Sequence, residues 1–170
     1  MWETHPNWLR RSNIPLTIIC GPPCSGKTTY VNQHKAAGDI IIDLDAICMK
    51  LQPGYQHWSS ARNDESRTRL TGRAIRIRNI MLARLPHAKA GRGWFIVSAP
   101  SQEERDWWKT KLGGELVLLN PGIEECKRRA IRRGTPKAVA GIVDWETRSE
   151  QPWHAPVHHL AIGVDGYPRA

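Results

Sequence analysis

The chain has 170 residues and carries 25 lysines and arginines against 16 aspartates and glutamates, for a formal net charge of +9. This length predicts one domain with a real core, and the basic excess favours phosphate-rich partners such as nucleic acid. The four cysteines form no C-x-x-C pair, no apolar signal segment precedes them, and no run approaches the roughly 18 apolar residues of a membrane span. We therefore expect a cytoplasmic protein with neither a disulfide framework nor a membrane partner.

The first half of the chain alternates apolar runs with stretches of helical character. Residues Ile14 to Cys20 are apolar and rich in β-branched side chains, which predicts a buried strand. A glycine-containing loop follows, and a helix is predicted from about 27 to 36. Residues 39–43 then predict a second buried strand, and residues 45–51 a short helix.

The second half repeats this alternation, beginning with apolar residues at helical spacing over about 62–85, where Pro86 ends the helix. The later elements are predicted, in chain order, as a strand over 93–98, a helix over 103–112, a strand over 116–119 and a basic helix over 123–133. Such alternation predicts an α/β fold whose mostly parallel sheet lies between layers of helices. We expect a single domain over residues 1–150, with the tail 151–170 packed on it through a candidate edge strand at 159–164.

The segment between the first strand and the first helix reads GPPCSGKTT and satisfies the P-loop pattern G-x-x-x-x-G-K-[ST] in full. A strand, a glycine loop and a helix in that order direct backbone N–H groups and the positive helix end at one polyanion. The pattern predicts that Lys27 binds the β- and γ-phosphates of ATP and that the Thr28 hydroxyl binds Mg²⁺. The expected nucleotide-binding residues of this loop are Gly21, Pro22, Pro23, Cys24, Ser25, Gly26, Lys27, Thr28 and Thr29.

The rest of the chain narrows the class of P-loop protein. An ATP-hydrolysing motor would carry a magnesium-binding carboxylate at the end of its third strand, but residues 96–100 read IVSAP. A guanine-reading Asn-Lys-x-Asp segment is also absent from the sequence. Phosphoryl transfer to a second substrate is the chemistry that remains.

Such a transfer needs a base beside the acceptor hydroxyl. Asp43 and Asp45 leave the carboxyl end of the second strand, at the sheet edge that also carries the P-loop. We predict that Asp45 is the general base. Asp43 either holds Mg²⁺ through water or caps the following helix.

A basic stretch over residues 127–137 holds six cations and no acidic residue. Arg129 and Arg133 are four residues apart and share one helical face, where bound phosphate would relieve their repulsion. The glycine and small residues nearby suit a mobile lid over about 128–141 that closes on ATP, with Arg133 stabilising the transition state. The alternative interpretation is a solvated basic helix.

These residues resemble the P-loop polynucleotide 5′-hydroxyl kinases over most of residues 14–150. The resemblance rests on the P-loop, on Asp45 at the position of the general base, on Ser98 to Trp108, and on the lid-like segment from Arg128 to Val139. It implies a three-layer, nucleoside-kinase-like P-loop fold with a helical lid, which uses ATP and Mg²⁺. In that family Lys27, Arg129 and Arg133 would bind the donor phosphates. The chain departs from the pattern on the acceptor side, where Cys48 and Ala99 replace an arginine and an acidic residue.

A nucleic acid acceptor would need further cations along its backbone. Arg69, Arg73 and Arg76 form a stripe on the helix predicted over 62–85, which could follow a strand backbone or simply be solvated helix surface. Trp58 could stack on a base, although packing is the more common role of such a residue.

Three functions fit this sequence. The first is a kinase that phosphorylates the 5′-hydroxyl of a nucleic acid end. The second is a small-molecule kinase acting on a nucleoside, nucleotide or sugar. The third is a weakly active or non-catalytic ATP-binding accessory protein associated with nucleic acid. The sequence leaves the oligomeric state open. Cys24 could tune redox sensitivity, but a small side chain that fits the loop is the favoured interpretation.

Overall fold

The computed structural model describes residues 3–55 and 65–156, and its centre is a four-stranded parallel sheet. The strands are β1 (Leu16–Cys20), β2 (Ile40–Asp43), β3 (Gly93–Val97) and β4 (Glu115–Leu118), in the spatial order β2-β3-β1-β4. Ile18 in the middle of β1 is in register with Phe95 on one side and Leu116 on the other. All four strands run in one direction, so their carboxyl ends meet at one edge of the sheet, where open α/β sheets bind their ligands.

Helices cover both faces of this sheet. They are α1 (Lys27–His34), α2 (Leu44–Leu51), α3 (Glu65–Arg84), α4 (Gln102–Leu112), α5 (Ile123–Arg132) and α6 (Ala138–Ser149), with a short 3₁₀ turn at Leu85–His87. The predicted three-layer α/β fold is therefore confirmed. The helix α6 is an element beyond those predicted from the sequence, because the small residues at its start are also compatible with a mobile cover.

The side chains of β1 alternate between two apolar clusters. Leu16, Ile18 and Cys20 face α3 and α4, where Trp108 is fully buried. Ile19 points to the other face and packs with Val31 of α1. This two-sided burial explains why the strand is apolar except at Thr17. Trp94, Trp108 and Trp145 are buried, whereas Trp107 is half-buried.

Several boundaries differ from the prediction by one or two residues. The first helix ends at His34 and β2 starts at Ile40, because the Asp39 carboxylate accepts hydrogen bonds from the backbone N–H groups of Ala36 and Arg92. Trp94 Nε1 also donates to Asp39, at 2.9 Å, so this residue fastens the connection instead of extending the strand. Three sequence predictions fall outside the described residues: the strand at 159–164, Trp58, and the start of the helix at 62–64.

The segment before β1 is fastened to α3 and α4 by a buried polar network. Arg78 of α3 donates to the Thr4 carbonyl at 2.6 Å and to the side chain of its neighbour Asn79. His5 lies 2.9 Å from a carboxylate oxygen of the buried Glu104 of α4. The guanidinium of Arg78 also stacks over the ring of Trp108. Within the described ranges no helix is both long and apolar enough to cross a membrane.

Candidate functional site

The P-loop joins β1 to α1, and its backbone requires glycine at two positions. Gly21 has φ +152°, and a Cβ atom there would lie 2.1 Å from the Leu119 carbonyl oxygen. Gly26 has φ +100° and occupies the N-cap position of α1. Only glycine combines these conformations with such close backbone approach. The loop therefore has the strand-to-helix geometry that the motif predicts for a phosphate site.

Lys27 is the first residue of α1, and its side chain folds over the loop. Its ammonium group donates hydrogen bonds to the carbonyl oxygens of Gly21, at 2.8 Å, and Pro22, at 2.6 Å. Burial lowers the pKa of Lys27, and the negative charges of Asp45 and then Asp43 oppose that shift. The ammonium group thus lies at the phosphate loop and within electrostatic reach of both carboxylates.

Asp43 and Asp45 differ in their surroundings although they are two residues apart. Asp43 is the N-cap residue of α2, and its carboxylate accepts a hydrogen bond from the Asp45 backbone N–H at 3.1 Å. Burial, and then the charge of Asp45, raise the pKa of Asp43. Asp45 is exposed in the first turn of α2. The capping role considered for Asp43 is therefore present in the structure, and the more accessible carboxylate is that of Asp45.

The oxygen groups at this edge suit Mg²⁺. The hydroxyl-bearing Thr28 is exposed in the first turn of α1, and Asp43 presents a carboxylate that is partly buried beside a second one. A hard dication bound by few protein oxygens and several waters fits such a set, and it would relieve the repulsion between the two carboxylates. The described residues contain no cluster of three or more histidine, cysteine or acidic side chains that could hold a metal without a ligand's help.

The two predicted lid arginines have different surroundings. Arg129 Nη1 donates to the carbonyl oxygens of Ser25, at 3.2 Å, and Cys24, at 3.5 Å. Arg133 is the C-cap residue of α5 and its side chain is exposed. The structure therefore brings Arg129 to the phosphate loop and leaves Arg133 in solvent.

The predicted lid at 128–141 spans the end of α5, a turn and the start of α6. Gly134 allows the turn with φ +71°, and Ala138 and Ile142 of α6 pack against Cys126 and Ala130 of α5. Cys24 of the P-loop packs against the same cluster, in line with its prediction as a small filling side chain. The two helices thus form a hairpin that contacts the loop through both apolar side chains and Arg129.

The residue that fastens this hairpin to the sheet is not among the predicted site residues. Trp145 of α6 is buried, and its Nε1 donates to the Ser98 carbonyl just beyond β3, at 2.9 Å. The same carbonyl accepts a hydrogen bond from Gly21 N–H at 3.3 Å. The spacing of Ala138, Ile142 and Trp145 at i, i+4 and i+7 is a helical signal that could have revealed α6.

The arginines of α3 do not share one environment. Arg69, Arg73 and Arg76 are exposed, as a binding stripe requires, and Arg69 pairs with Glu65 one turn earlier. Arg78 is instead buried in the network described above. A surface pocket of about 510 Å³ lies between α3 and the end of α2. Its described lining is Leu51, Gln52, Glu65, Ser66, Arg69, Leu70 and Arg73.

The fold and the loop together define a P-loop nucleotide-binding protein of the three-layer α/β type. A family model described as "AAA domain" matches residues 16–151, and the chain belongs to this family. No curated protein matches the sequence.

Two solved structures are similar to this chain at low identity. The tunicamycin resistance protein of Deinococcus radiodurans is 20% identical, with a TM-score of 0.49 over 81% of this chain and 82% of that one. A shikimate kinase from Acinetobacter baumannii, solved in complex with shikimate, is 20% identical, with a TM-score of 0.46 over 85% of this chain and 87% of that one. These matches leave the acceptor undetermined, and the resemblance to polynucleotide 5′-hydroxyl kinases stays a prediction.

Proposed function

We propose that the chain is an ATP-dependent phosphotransferase that moves the γ-phosphate of Mg·ATP to a hydroxyl group, with a nucleic acid 5′-hydroxyl as the first-choice acceptor. One observation carries the proposal: the ammonium group of Lys27 lies on the phosphate loop after β1, at the same edge of the parallel sheet as Asp45, which follows β2. A carboxylate beside a phosphate-binding cation is the pairing that phosphoryl transfer to an alcohol requires.

In this mechanism the acceptor oxygen forms a bond to the γ-phosphorus while the bond to the β–γ bridging oxygen breaks and ADP leaves. Asp45 accepts the proton of the hydroxyl. Lys27 and Arg129, which both lie against the loop, stabilise the charge on the transferred group. Mg²⁺, held by Thr28 and through water by Asp43, would neutralise charge on the phosphate oxygens. Arg133 is exposed, so it would need a movement of the lid to join this set.

The acceptor assignment rests on the surface beside Asp45. Helix α2 begins at the candidate base and ends at the pocket that Arg69 and Arg73 line. Arg76 continues the exposed cations along α3. Cations placed one helix length from the base suit a polymer whose end reacts while its phosphates are held further along.

The test offers γ-labelled ATP to a 5′-hydroxyl oligonucleotide as DNA and as RNA, to a panel of nucleosides, nucleotides and sugars, and to buffer alone. We expect label on the oligonucleotide and none on the same oligonucleotide already phosphorylated at its 5′ end. Label confined to a small molecule would identify the small-molecule kinase instead. If no acceptor gains label and no labelled phosphate is released in buffer alone, while ATP still binds, the chain is the accessory ATP-binding protein and the proposal is refuted.

A further inference from the structure

The carboxylate of Glu125 lies among three arginines of the lid-like hairpin. Glu125 is in the first turn of α5, and its Oε1 accepts a hydrogen bond from Arg129 Nε at 2.8 Å. Its Oε2 lies 3.1 Å from Arg128 Nη2, and Arg132 approaches to 4.0 Å. A single carboxylate therefore contacts three guanidinium groups, and that of Arg129 also touches the phosphate loop.

The contacts of Arg129 fix the orientation of its guanidinium group. Its Nε–H is bound by Glu125 at one edge, while Nη1 donates to the Ser25 carbonyl at 3.2 Å on the other side. Because a guanidinium group is planar and rigid, two such contacts set the direction of its remaining donors. Among the described residues no group accepts a hydrogen bond from Nη2, so these donors stay available to an anion at the loop.

We propose that Glu125 is a positioning residue, which holds Arg129 in the orientation that binds the phosphates of the donor nucleotide. The inference rests on the proposed function for its kinetic consequence, but it also predicts an effect on nucleotide binding. The hydrogen bond from Arg129, with the charges of the neighbouring arginines, lowers the pKa of Glu125, so the carboxylate stays ionised at neutral pH. A charged acceptor holds a guanidinium group more strongly than a neutral one.

The chain supplies a matched control in the preceding residue. Glu124 is in the same first turn of α5, where both carboxylates interact favourably with the helix N-terminus. It pairs with Lys127 at 3.1 Å, is largely exposed, and makes no contact with Arg129 among the described interactions. Glu124→Ala therefore removes the helix-end charge and leaves the positioning contact intact.

The experiment is a double-mutant cycle of Glu125→Ala and Arg129→Ala, with Glu124→Ala measured in both backgrounds. Phosphotransfer kinetics give kcat and KM for ATP, and binding of a fluorescent ATP analogue gives Kd. We expect Glu125→Ala to lower kcat/KM by about tenfold and to weaken the analogue by several-fold, while Glu124→Ala changes either by less than about twofold. In the Arg129→Ala background the effect of Glu125→Ala should shrink to less than about twofold, because the group it positions is gone.

Two results would overturn the inference. The first is an effect of Glu125→Ala on kcat/KM and Kd that is as large in the Arg129→Ala background as in the parent chain. The second is tighter nucleotide binding by Glu125→Ala, which would mean that the carboxylate holds Arg129 away from phosphate. Thermal unfolding of each variant checks that it is folded. Should Glu125→Ala fail to fold, Glu125→Gln replaces it, because glutamine keeps a neutral acceptor for Nε–H. Glu125→Gln should cause a smaller loss of kcat/KM and affinity, and this loss should disappear in the Arg129→Ala background. A chain that transfers no phosphate would fail the proposed function, yet the Kd values would still decide this inference.

Discussion

At the scale of single residues, the two carboxylates after β2 share one sheet edge but have different environments. Asp43 uses its side chain to cap α2 and is partly buried, whereas Asp45 is exposed in the following turn. The general base must meet an acceptor that arrives from solvent, so exposure favours Asp45 for that role. The N-cap position gives Asp43 a structural role at the start of α2.

We expect Asp45→Asn to abolish phosphotransfer and to leave ATP binding within about threefold of the parent chain. The substitution removes the proton acceptor but keeps the shape of the side chain, so the chemical step fails while the phosphate loop is unaffected. Single-turnover transfer and analogue binding measure the two quantities. Equal loss of both would contradict the assignment of Asp45 as base.

Substitutions of Asp43 separate its cap from its charge. Asparagine is also a good N-cap and carries no charge, so near neutral pH Asp43→Asn should be at least as stable as the parent chain, whereas Asp43→Ala should lower the free energy of unfolding by about 1 kcal/mol relative to Asp43→Asn. Urea unfolding gives both values.

Because burial raises the pKa of Asp43, its ionised form costs stability near neutral pH, and the cost is relieved as pH falls through the folded-state pKa. The parent chain should therefore gain stability relative to Asp43→Asn over that fall in pH, and an opposite trend would refute the electrostatic account.

At the scale of elements, the two faces of α3 have different functions. Its inward face packs on β2 and α2 through residues such as Leu70, Ala74 and Leu82. Its outward face carries the stripe of exposed arginines that lies beside the end of α2. The helix thus contributes to the core and presents exposed cations beside the C-terminal end of α2.

The double variant Arg73→Ala/Arg76→Ala should raise KM for an oligonucleotide acceptor and leave KM for ATP unchanged. The slope of log kcat/KM against log salt concentration is negative. Loss of two phosphate contacts should also decrease its magnitude by about 1.4, the value for two contacts with a single strand. Kinetics at several salt concentrations measure this slope. Arg84→Ala is the control, since Arg84 ends the same helix at the opposite edge of the sheet. An equal effect in the control would show that net charge alone, and no specific stripe, attracts the acceptor.

At the scale of the whole molecule, the buried network around Arg78 joins the segment before β1 to two helices on one face of the sheet. Arg78 reaches the Thr4 carbonyl, stacks over Trp108 and is attracted by Glu104. Such a network is costly to interrupt, because removing one member leaves buried polar groups without partners.

Arg78→Ala should lower the free energy of unfolding by about 3 kcal/mol, since it removes the cation beside a buried carboxylate and the donor to Thr4. Arg76→Ala, an exposed neighbour on the same helix, should change it by less than about 0.5 kcal/mol. Denaturant titrations compare the two variants. A cost for Arg78→Ala as small as that of Arg76→Ala would mean that the network contributes nothing to stability.

The elements that depend on local patterns were predicted well from the sequence. The four strands of the sheet are short apolar runs bounded by turns, and the P-loop is read from the spacing of Gly21, Gly26 and Lys27. The boundaries of these elements differ from the predicted ones. The side chains of Asp39 and Asp43 form turn and cap hydrogen bonds, which a run of apolar residues does not reveal. The helix α6 was missed because its small first residues were compatible with a loop.

The sequence by itself determined the class of this protein, since the phosphate loop and the alternation of strands and helices are encoded by neighbouring residues. Only the tertiary structure decided which side chains meet at the loop. Arg129 and Arg133 are equivalent by helical spacing, yet the packing of α5 against Cys24 and α6 brings the first to the loop and leaves the second in solvent. The sequence alone does not distinguish the arginines of α3 from one another. Arg78 is buried and Arg73 is exposed, because burial depends on contacts with segments far away in the chain.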